Sequence, residues 1–313
     1  MAQADVTAPA HGAYPELTQL IAHRFCARQL TLTRPKRALS LLAGPNKTNY
    51  RGRGIDFEEV RNYQSGDDIR TIDWRVTART GVAHTKLFRE ERERPVMVVV
   101  DQRNSMFFGS QHCCKSVLAA ELASMLAWSA LEGGDRVGGL VFNNERHREI
   151  RPRRSRRNVL SLLSQIVEYS QQLPLQEAAS EASMANVFAN LRRIARPGSS
   201  LYLISDFHGA NAKGAREHLY ELAKHTEITA IACADPLESE LPRAGTYAVT
   251  DGRDRSELST GDRQLRKRYR ATFQDRHEAL AQQFTRLGVP LLVASTQHSP
   301  FALLQRYFGD HRR

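Results

Sequence analysis

The hydrophobic positions of this chain predict a sheet of parallel strands. Residues 96–100 read Val-Met-Val-Val-Val, an apolar run without alternation that ends at Asp101. Such a run is typical of a strand that is buried on both faces, as in a parallel sheet. A second apolar run, residues 201–205, ends in the same way at Asp206. Because ligands of open α/β sheets bind beyond the carboxyl ends of the strands, these two aspartates mark the edge where we expect a site.

From residue 95 onward, strand and helix patterns alternate, which is typical of an α/β fold. Further strands are predicted at 136–142, 227–234 and 290–293, with an edge strand at 245–250. Helical periodicity is found at 115–131, 155–170, 184–195, 213–225, 261–287 and 300–308. Before these elements, a helical pattern over 15–30 precedes an irregular stretch rich in Gly, Arg and Asp. We therefore expect a disordered lead at 1–14, an N-terminal region at 15–94 and an α/β domain at 95–313.

The charge of the chain narrows the choice of partners. The 313 residues carry a formal net charge of +11, which favours an acidic protein, nucleic acid or an anionic membrane surface. Part of this charge forms a basic patch, which consists of Arg151, Arg153, Arg154, Arg156 and Arg157. A solvated surface is the plainer interpretation of this patch, because no aromatic residues are interleaved to stack on bases. Nucleic acid therefore remains an alternative partner only.

Several classes of protein are disfavoured by what the sequence lacks. No apolar run approaches the roughly 20 residues that span a membrane, and residues 1–13 lack the basic and apolar regions of a secretion signal. The four cysteines have neither zinc nor disulfide spacing. A phosphate loop, a Gly-x-Ser-x-Gly elbow and a His-Glu-x-x-His pair are all missing. We therefore expect a cytoplasmic protein that is not an enzyme.

The stretch between residues 52 and 90 carries the most specific motif. It reads Gly-Asp-Asp-Ile-Arg-Thr-Ile-Asp-Trp over residues 66–74, and its marked positions are Gly66, Asp67, Asp68, Arg70, Asp73, Trp74 and Arg79. This signature resembles that of the domain-of-unknown-function family fifty-eight, bacterial proteins typically encoded beside MoxR-type AAA+ ATPases. The resemblance implies a von Willebrand factor A-like fold, a mostly parallel sheet flanked by helices, with an irregular N-terminal extension.

The acidic and basic residues of the signature allow two interpretations. Aspartates alternate with arginines, which favours a structural network of bidentate Arg–carboxylate pairs, with Trp74 as the apolar anchor that packs this region onto the sheet. Alternatively, Asp67, Asp68 and Asp73 form the centre of a metal-dependent phosphodiesterase. The nearby arginines compete for these carboxylates, so the structural network is favoured.

The resemblance also implies a metal-ion-dependent adhesion site at the strand ends. In A-type domains an Asp-x-Ser-x-Ser loop, a Thr and a distant Asp supply oxygen ligands to a hard cation. Asp101 matches the first Asp, Ser105 matches the second Ser, and Asp206 matches the distant Asp. Mg²⁺ is therefore a candidate cofactor.

Two positions depart from that adhesion-site pattern. Arg103 stands where the first Ser belongs, and Ala185 stands where the Thr belongs, although Ser180 and Ser183 are nearby hydroxyls. Because a guanidinium does not lose its charge, Arg103 can occupy the place of the cation between the two aspartates. A plainer interpretation is that both aspartates only cap the segments that follow them.

We interpret the chain as a non-enzymatic adaptor that uses the rim around Asp101, Ser105 and Asp206 for protein recognition. The partners that the resemblance implies are a MoxR-type AAA+ ATPase and other A-type domain proteins, in a chaperone or maturation system. The alternative is a nucleic-acid or anionic-surface binding protein that uses the basic patch, including peripheral contact with a membrane.

Overall fold

The computed structural model describes residues 8–32, 56–64, 69, 72–89, 94–172, 183–250 and 255–309. The chain forms two compact units: Met1–Ala43 with Arg94–Arg313, and Gly44–Glu93. We expected one N-terminal region at 15–94. Its residues 15–43 instead belong to the larger unit, and only 44–93 form the smaller one.

The secondary structure of the described residues follows the predicted alternation. The strands are β1 (Asp56–Asn62), β2 (His84–Arg89), β3 (Pro95–Asp101), β4 (Arg136–Phe142), β5 (His147–Arg153), β6 (Ser200–Ser205), β7 (Glu227–Ala234), β8 (Thr246–Thr250), β9 (Arg255–Ser259) and β10 (Leu291–Ser295). The helices are α1 (Leu17–Ala22), α2 (Arg24–Ala27), α3 (Trp74–Thr80), α4 (Lys115–Glu132), α5 (Arg156–Gln171), α6 (Ser183–Ile194), α7 (Lys213–Ala223), α8 (Pro236–Ser239), α9 (Arg263–Arg286) and α10 (Pro300–Phe308). No helix among these is both long and apolar enough to cross a membrane.

A six-stranded sheet forms the centre of the larger unit, in the order β10-β7-β6-β3-β4-β5. Neighbouring strands are parallel throughout, except that β5 pairs antiparallel with β4. Helices cover both faces, so the predicted mostly parallel α/β sheet flanked by helices is confirmed.

The central strand β3 shows why its sequence does not alternate. Val96, Val98 and Val100 belong to the core on one face, whereas Met97 and Val99 belong to the core on the other. Successive side chains of a strand point to opposite faces, so burial of both faces requires an apolar residue at every position. The first core also contains α4, whose residues are buried from Lys115 to Ala130.

The N-terminal residues pack on α4 instead of forming a disordered lead. Residue Ala10 is 3% exposed. The Gly12 N–H donates to the carbonyl of His112 over 3.0 Å, which ties this segment to the loop after β3. The helix expected at 15–30 is interrupted at His23, between α1 and α2. The expectation of disorder is therefore wrong for residues 8–14.

Two strands differ from the prediction. Residues 246–250 do form a strand, β8, but it pairs with β9 in a separate two-stranded sheet and not at the edge of the main one. Strand β5 was not predicted, because its sequence is mostly polar and only Ile150 is buried. Its position at the edge of the sheet explains this composition, since an edge strand needs few apolar side chains. The basic patch spans β5 and the start of α5, and all of its side chains are exposed.

The smaller unit contains the signature region. Strands β1 and β2 pair antiparallel, and α3 lies between them in sequence. Asp73 caps α3 by accepting hydrogen bonds from the backbone N–H groups of Arg75 and Val76. Gly81, with φ of 72°, ends the helix in the left-handed conformation that favours glycine.

The signature side chains are described only in part. Gly66, Asp67, Asp68 and Arg70 lie outside the described residues. Trp74 is 67% exposed, and its interpretation as the anchor that packs this region onto the sheet stays a prediction. Arg79 lies in the last turn of α3, where a positive charge is favourable next to the helix dipole.

A buried histidine–glutamate pair joins the N-terminal segment to α4. His23 Nε2 lies 3.9 Å from Glu121 Oε2, and both side chains are almost fully buried. Burial lowers the pKa of His23 to about 4 and raises the pKa of Glu121 to about 7. Both groups are therefore favoured in their neutral forms.

The pair predicts a pH dependence of stability. A carboxyl group whose pKa is higher in the folded state loses stability as the pH rises from its ordinary value of 4.5 toward 7. Glu121→Gln removes this loss, so we expect the free energy of unfolding to increase by up to about 3 kcal/mol at pH 8, and the gain to vanish below pH 4.5. Chemical denaturation across this range measures the effect. Glu132→Gln, an exposed position on the same helix, is the control; an equal pH dependence in both variants would contradict the prediction.

Candidate functional site

Charged side chains meet beyond the carboxyl ends of β3, β6 and β7. We call this cluster the strand-end ion network; it consists of Asp101, Arg103, Lys115, Asp206 and Glu238. The network arises because parallel neighbouring strands end at one edge, so polar residues that follow each strand are brought together. Two cations and three carboxylates are thus placed at the edge that the sequence predicts.

Asp101 and Arg103 form the innermost pair of the network. Asp101 is 0% exposed and Arg103 is 3% exposed. The guanidinium Nε lies 3.0 Å from both carboxylate oxygens of Asp101, and Nη2 lies 2.7 Å from Oδ2. The backbone N–H of Arg103 and the hydroxyl of Ser205 also donate to this carboxylate, over 2.9 and 2.6 Å. Asp101 is therefore fully engaged by donors within the protein.

The same guanidinium extends from Asp101 to Asp206. Arg103 Nη2 lies 3.4 Å from Asp206 Oδ1, and Nη1 donates to the carbonyl of His208 over 3.0 Å. Phe207, between these two residues, has a φ of 55°. This left-handed conformation is uncommon for a residue with a side chain. It accompanies a backbone turn in which the N–H of His208 donates to Asp206 over 3.0 Å.

Asp206 is held in its ionised form. Burial raises the pKa of its carboxyl group, but the charges of Lys115 and Arg103, together with hydrogen bonds from His208 and Ser105, outweigh burial and lower the pKa to about 2. Ser105, which the sequence analysis placed at the site, is thus a donor to this aspartate. Asp206 therefore stays ionised at neutral pH.

Lys115 connects the network to β7. Its side chain is 1% exposed, and its ammonium group lies 3.2 Å from Asp206 Oδ2 and 2.6 Å from Glu238 Oε1. Burial lowers the pKa of Lys115, but these two carboxylates outweigh burial and raise it. Glu238 also accepts from the backbone N–H of Asp235, which caps α8. One buried lysine thereby links the loops after two neighbouring strands.

Sequence reasoning missed Lys115 and Glu238, and it did not use Asp235, which follows β7. Asp235 accepts hydrogen bonds from the N–H of Ser110 and the hydroxyl of Thr296, over 2.9 and 2.6 Å. For Lys115, one feature of the sequence indicated a nearby carboxylate. Lys115 is the first residue of an apolar helix, where a cation opposes the helix dipole unless a carboxylate compensates it.

The residues at this edge do not fit a Mg²⁺ ion. The Arg103 guanidinium lies between Asp101 and Asp206, and Lys115 adds a second fixed charge. Two like unit charges about 4 Å apart repel by about 4 kcal/mol at an effective dielectric of about 20. Within the described ranges, no group of three or more His, Cys, Asp or Glu side chains is arranged to hold a metal ion. Of the interpretations left open by the sequence, the geometry favours a guanidinium in the place of the cation.

The hydroxyl that the adhesion-site pattern requires is not supplied by the residues that can be described. Ala185 lies in α6, next to Gly214 in α7. Ser180 lies outside the described residues, and the side chain of Ser183 does as well.

Aromatic side chains are found on the segments next to the network, where the Lys115 N–H donates to the carbonyl of Phe108 over 2.8 Å. Tyr14 and Phe108 are each 41% exposed. The rings of Tyr14 and Phe107 are in contact, with centroids 5.5 Å apart. We call these three residues the aromatic rim. The rim is anchored because Cys114 N–H donates to the Gly12 carbonyl over 3.1 Å, which fixes the N-terminal segment beside the loop after β3.

A match to a family model shows which protein family this chain belongs to. The profile described as "Protein of unknown function DUF58" matches residues 59–279. The chain belongs to the DUF58 family. The resemblance carried by the signature residues is thereby confirmed.

The chain is also similar to curated proteins and to solved structures. The chain is 30% identical to the uncharacterized proteins Rv1480 of Mycobacterium tuberculosis and Mb1516 of Mycobacterium bovis, over 91% of this chain and 89% of each relative. Among solved structures, BatB from Bacteroides thetaiotaomicron is 15% identical, covers 62% of this chain and 98% of its own, and has a TM-score of 0.37. The SpRpn10 VWA domain is 10% identical, covers 69% of this chain and 95% of its own, and has a TM-score of 0.39.

The ion network predicts that Arg103 excludes cations. In Arg103→Ser, Asp101 and Asp206 lose the guanidinium and gain a hydroxyl, so we expect Mg²⁺ to bind with an affinity on the order of millimolar. The variant leaves a buried carboxylate unpaired, which costs about 3–5 kcal/mol, and Mg²⁺ should recover part of this loss. Isothermal titration calorimetry and thermal unfolding with and without Mg²⁺ measure both effects.

Arg103→Lys is the matched control for this experiment. It keeps a positive charge at the same position, so neither it nor the wild-type protein should show Mg²⁺-dependent heat. Equal responses of the Ser and Lys variants would show that the charge of Arg103 is not what keeps the cation out.

Proposed function

We propose that this DUF58 protein is a non-enzymatic adaptor that binds a partner protein at the carboxyl edge of its sheet. The observation that carries the proposal is the Arg103 guanidinium between Asp101 and Asp206. It closes the position at which an adhesion-type domain would bind its partner through a cation. Recognition at this edge must then depend on protein side chains that are already in place.

The aromatic rim supplies such side chains. Tyr14 and Phe108 are partly exposed on segments next to the strand-end ion network, whose side chains are largely buried and ion-paired. Aromatic residues are enriched in protein interfaces, because they bury a large area at little cost in conformational entropy. The network holds the loops beneath them in one conformation, so a partner does not have to order them on binding.

The partner we propose is a MoxR-type AAA+ ATPase, on the basis of the family to which the chain belongs. In this role the adaptor links the ATPase to a client protein in a chaperone or maturation system and does not hydrolyse ATP itself. Because its partner consumes ATP, we place the complex in the cytoplasm.

The proposal predicts that Phe108 is needed for the ATPase and that other exposed aromatics are not. Tagged wild-type protein, Phe108→Asp and Tyr220→Asp are isolated from the native cells, and co-purifying proteins are quantified by mass spectrometry. Tyr220 is the control because it is 52% exposed but lies on α7. We expect a MoxR-type ATPase with the wild type and Tyr220→Asp, and a loss of roughly tenfold with Phe108→Asp.

Two results would contradict the proposal. The first is recovery of the ATPase in equal amounts with all three proteins, which would exclude the aromatic rim as its binding surface. The second is the absence of any AAA+ ATPase with the wild type. If nucleic acid is recovered in its place, the result supports the alternative function, a basic surface that binds nucleic acid.

A further inference from the structure

A cleft of about 410 Å³ opens at the end of α4 that lies far from the strand-end ion network. It forms where α2 and the first turn of α5 approach the last turn of α4. Its lining residues are Arg24, Phe25, Arg28, Trp128, Leu131, Glu132 and Arg156. An α-helix rises about 1.5 Å per residue, so Lys115 and Glu132, at the two ends of α4, are roughly 25 Å apart. The cleft is therefore a surface separate from the aromatic rim, and we call it the arginine-rimmed cleft.

The inner part of this cleft is apolar and preformed. Trp128 is 2% exposed, and its indole N–H donates to the carbonyl of Leu20 over 3.1 Å, which fixes the ring. Leu131 is partly buried beside it. Phe25, by contrast, is 60% exposed, so much of its side chain is an apolar wall open to solvent. A fixed apolar floor beside an exposed aromatic ring is suited to receive one large apolar side chain.

The rim of the cleft is positively charged. Arg24 lies over the ring of Phe25, with its guanidinium carbon 4.5 Å from the centroid. Arg28 lies 3.8 Å from Glu132, and both of these side chains are largely exposed. Arg156 is exposed at the start of α5, and no ion pair of this residue is found within the part of the chain that the structure describes. Three guanidinium groups thus line a cleft that contains one carboxylate.

The basic patch extends this positive surface beyond the cleft. Arg153 and Arg157 are exposed on either side of the turn that leads to Arg156, and the Arg154 guanidinium lies near Gly134, just after α4. Guanidinium groups bind carboxylates through two parallel hydrogen bonds, which gives directional as well as electrostatic recognition. A single exposed aromatic ring does not provide the successive stacking platforms that single-stranded nucleic acid uses.

We propose that the arginine-rimmed cleft docks an acidic segment of a partner protein. One aromatic or large aliphatic side chain of the segment enters the cleft against Phe25 and Leu131, while Asp or Glu residues on either side pair with Arg24, Arg28 and Arg156. This surface is distinct from the aromatic rim and does not depend on it. The adaptor thereby has two binding surfaces, at opposite ends of its most buried helix.

A peptide selection with the full-length protein tests this proposal. A phage-displayed library of random decapeptides is panned against the wild-type protein, and the most enriched peptide is synthesised with a fluorescent label. We expect enriched sequences to combine one aromatic or large aliphatic residue with several acidic residues. In fluorescence anisotropy, Phe25→Ser and Arg156→Gln should each weaken binding by roughly tenfold, and affinity should fall as salt rises.

The control variant is Arg193→Gln, which removes an equally exposed arginine from α6 on the other face of the sheet. It should bind the peptide like the wild type. Because Phe25 and Arg156 are exposed, their substitution is expected to leave the fold intact, which circular dichroism verifies. Enrichment of peptides without acidic residues, or an affinity that neither variant lowers, would overturn the proposal. Binding of a 20-nucleotide single-stranded DNA that both variants weaken and that displaces the peptide would assign the cleft to nucleic acid instead.

Discussion

The ion pair that joins Arg103 to Asp101 and Asp206 organises the whole carboxyl edge of the sheet. Removing these charges from water is costly, and their attraction offsets that cost only if every donor and acceptor is satisfied. The backbone N–H groups of Arg103 and His208 and the hydroxyl of Ser205 complete the set. The loops that follow β3 and β6 are consequently held in the one arrangement that satisfies the buried charges.

Helix α4 connects the strand-end ion network to the arginine-rimmed cleft. Its first residue, Lys115, belongs to the network, and the residues from Lys115 to Ala130 are buried. Its last turn forms part of the arginine-rimmed cleft, where Leu131 and Glu132 emerge from the core. A helix that is buried along almost its whole length and anchored by an ion pair at one end is rigid, so the two surfaces at its ends keep a constant separation. A constant separation would suit the proposed adaptor, which would bind two partners.

The arrangement also shows how a strand-end edge with two carboxylates can be ordered without a cation. A divalent ion and a guanidinium perform the same structural task when they bridge two strand-end carboxylates, since both neutralise charge and orient oxygens. The divalent ion and the guanidinium differ in what they offer to a binding partner. A cation has coordination positions left for a partner's carboxylate, whereas the guanidinium of Arg103 is consumed by internal contacts. The fold does not fix the function, because the group that bridges the two carboxylates decides what such an edge can bind.

Local sequence determined the elements of this protein, and tertiary structure determined their contacts. The apolar runs that end in Asp101 and Asp206 predicted the buried parallel strands, because burial on both faces leaves an unbroken pattern. Arg103, at a serine position of the adhesion-site pattern, predicted that a guanidinium would compete with a cation for the two aspartates. Strand β5 could not be predicted, since an edge strand is not required to be apolar, and neither could the role of Lys115, which depends on Glu238, more than a hundred residues away. The arginine-rimmed cleft shows the same limit: Phe25, Trp128 and Arg156 are unremarkable in sequence and form a surface only because the N-terminal segment folds back onto α4.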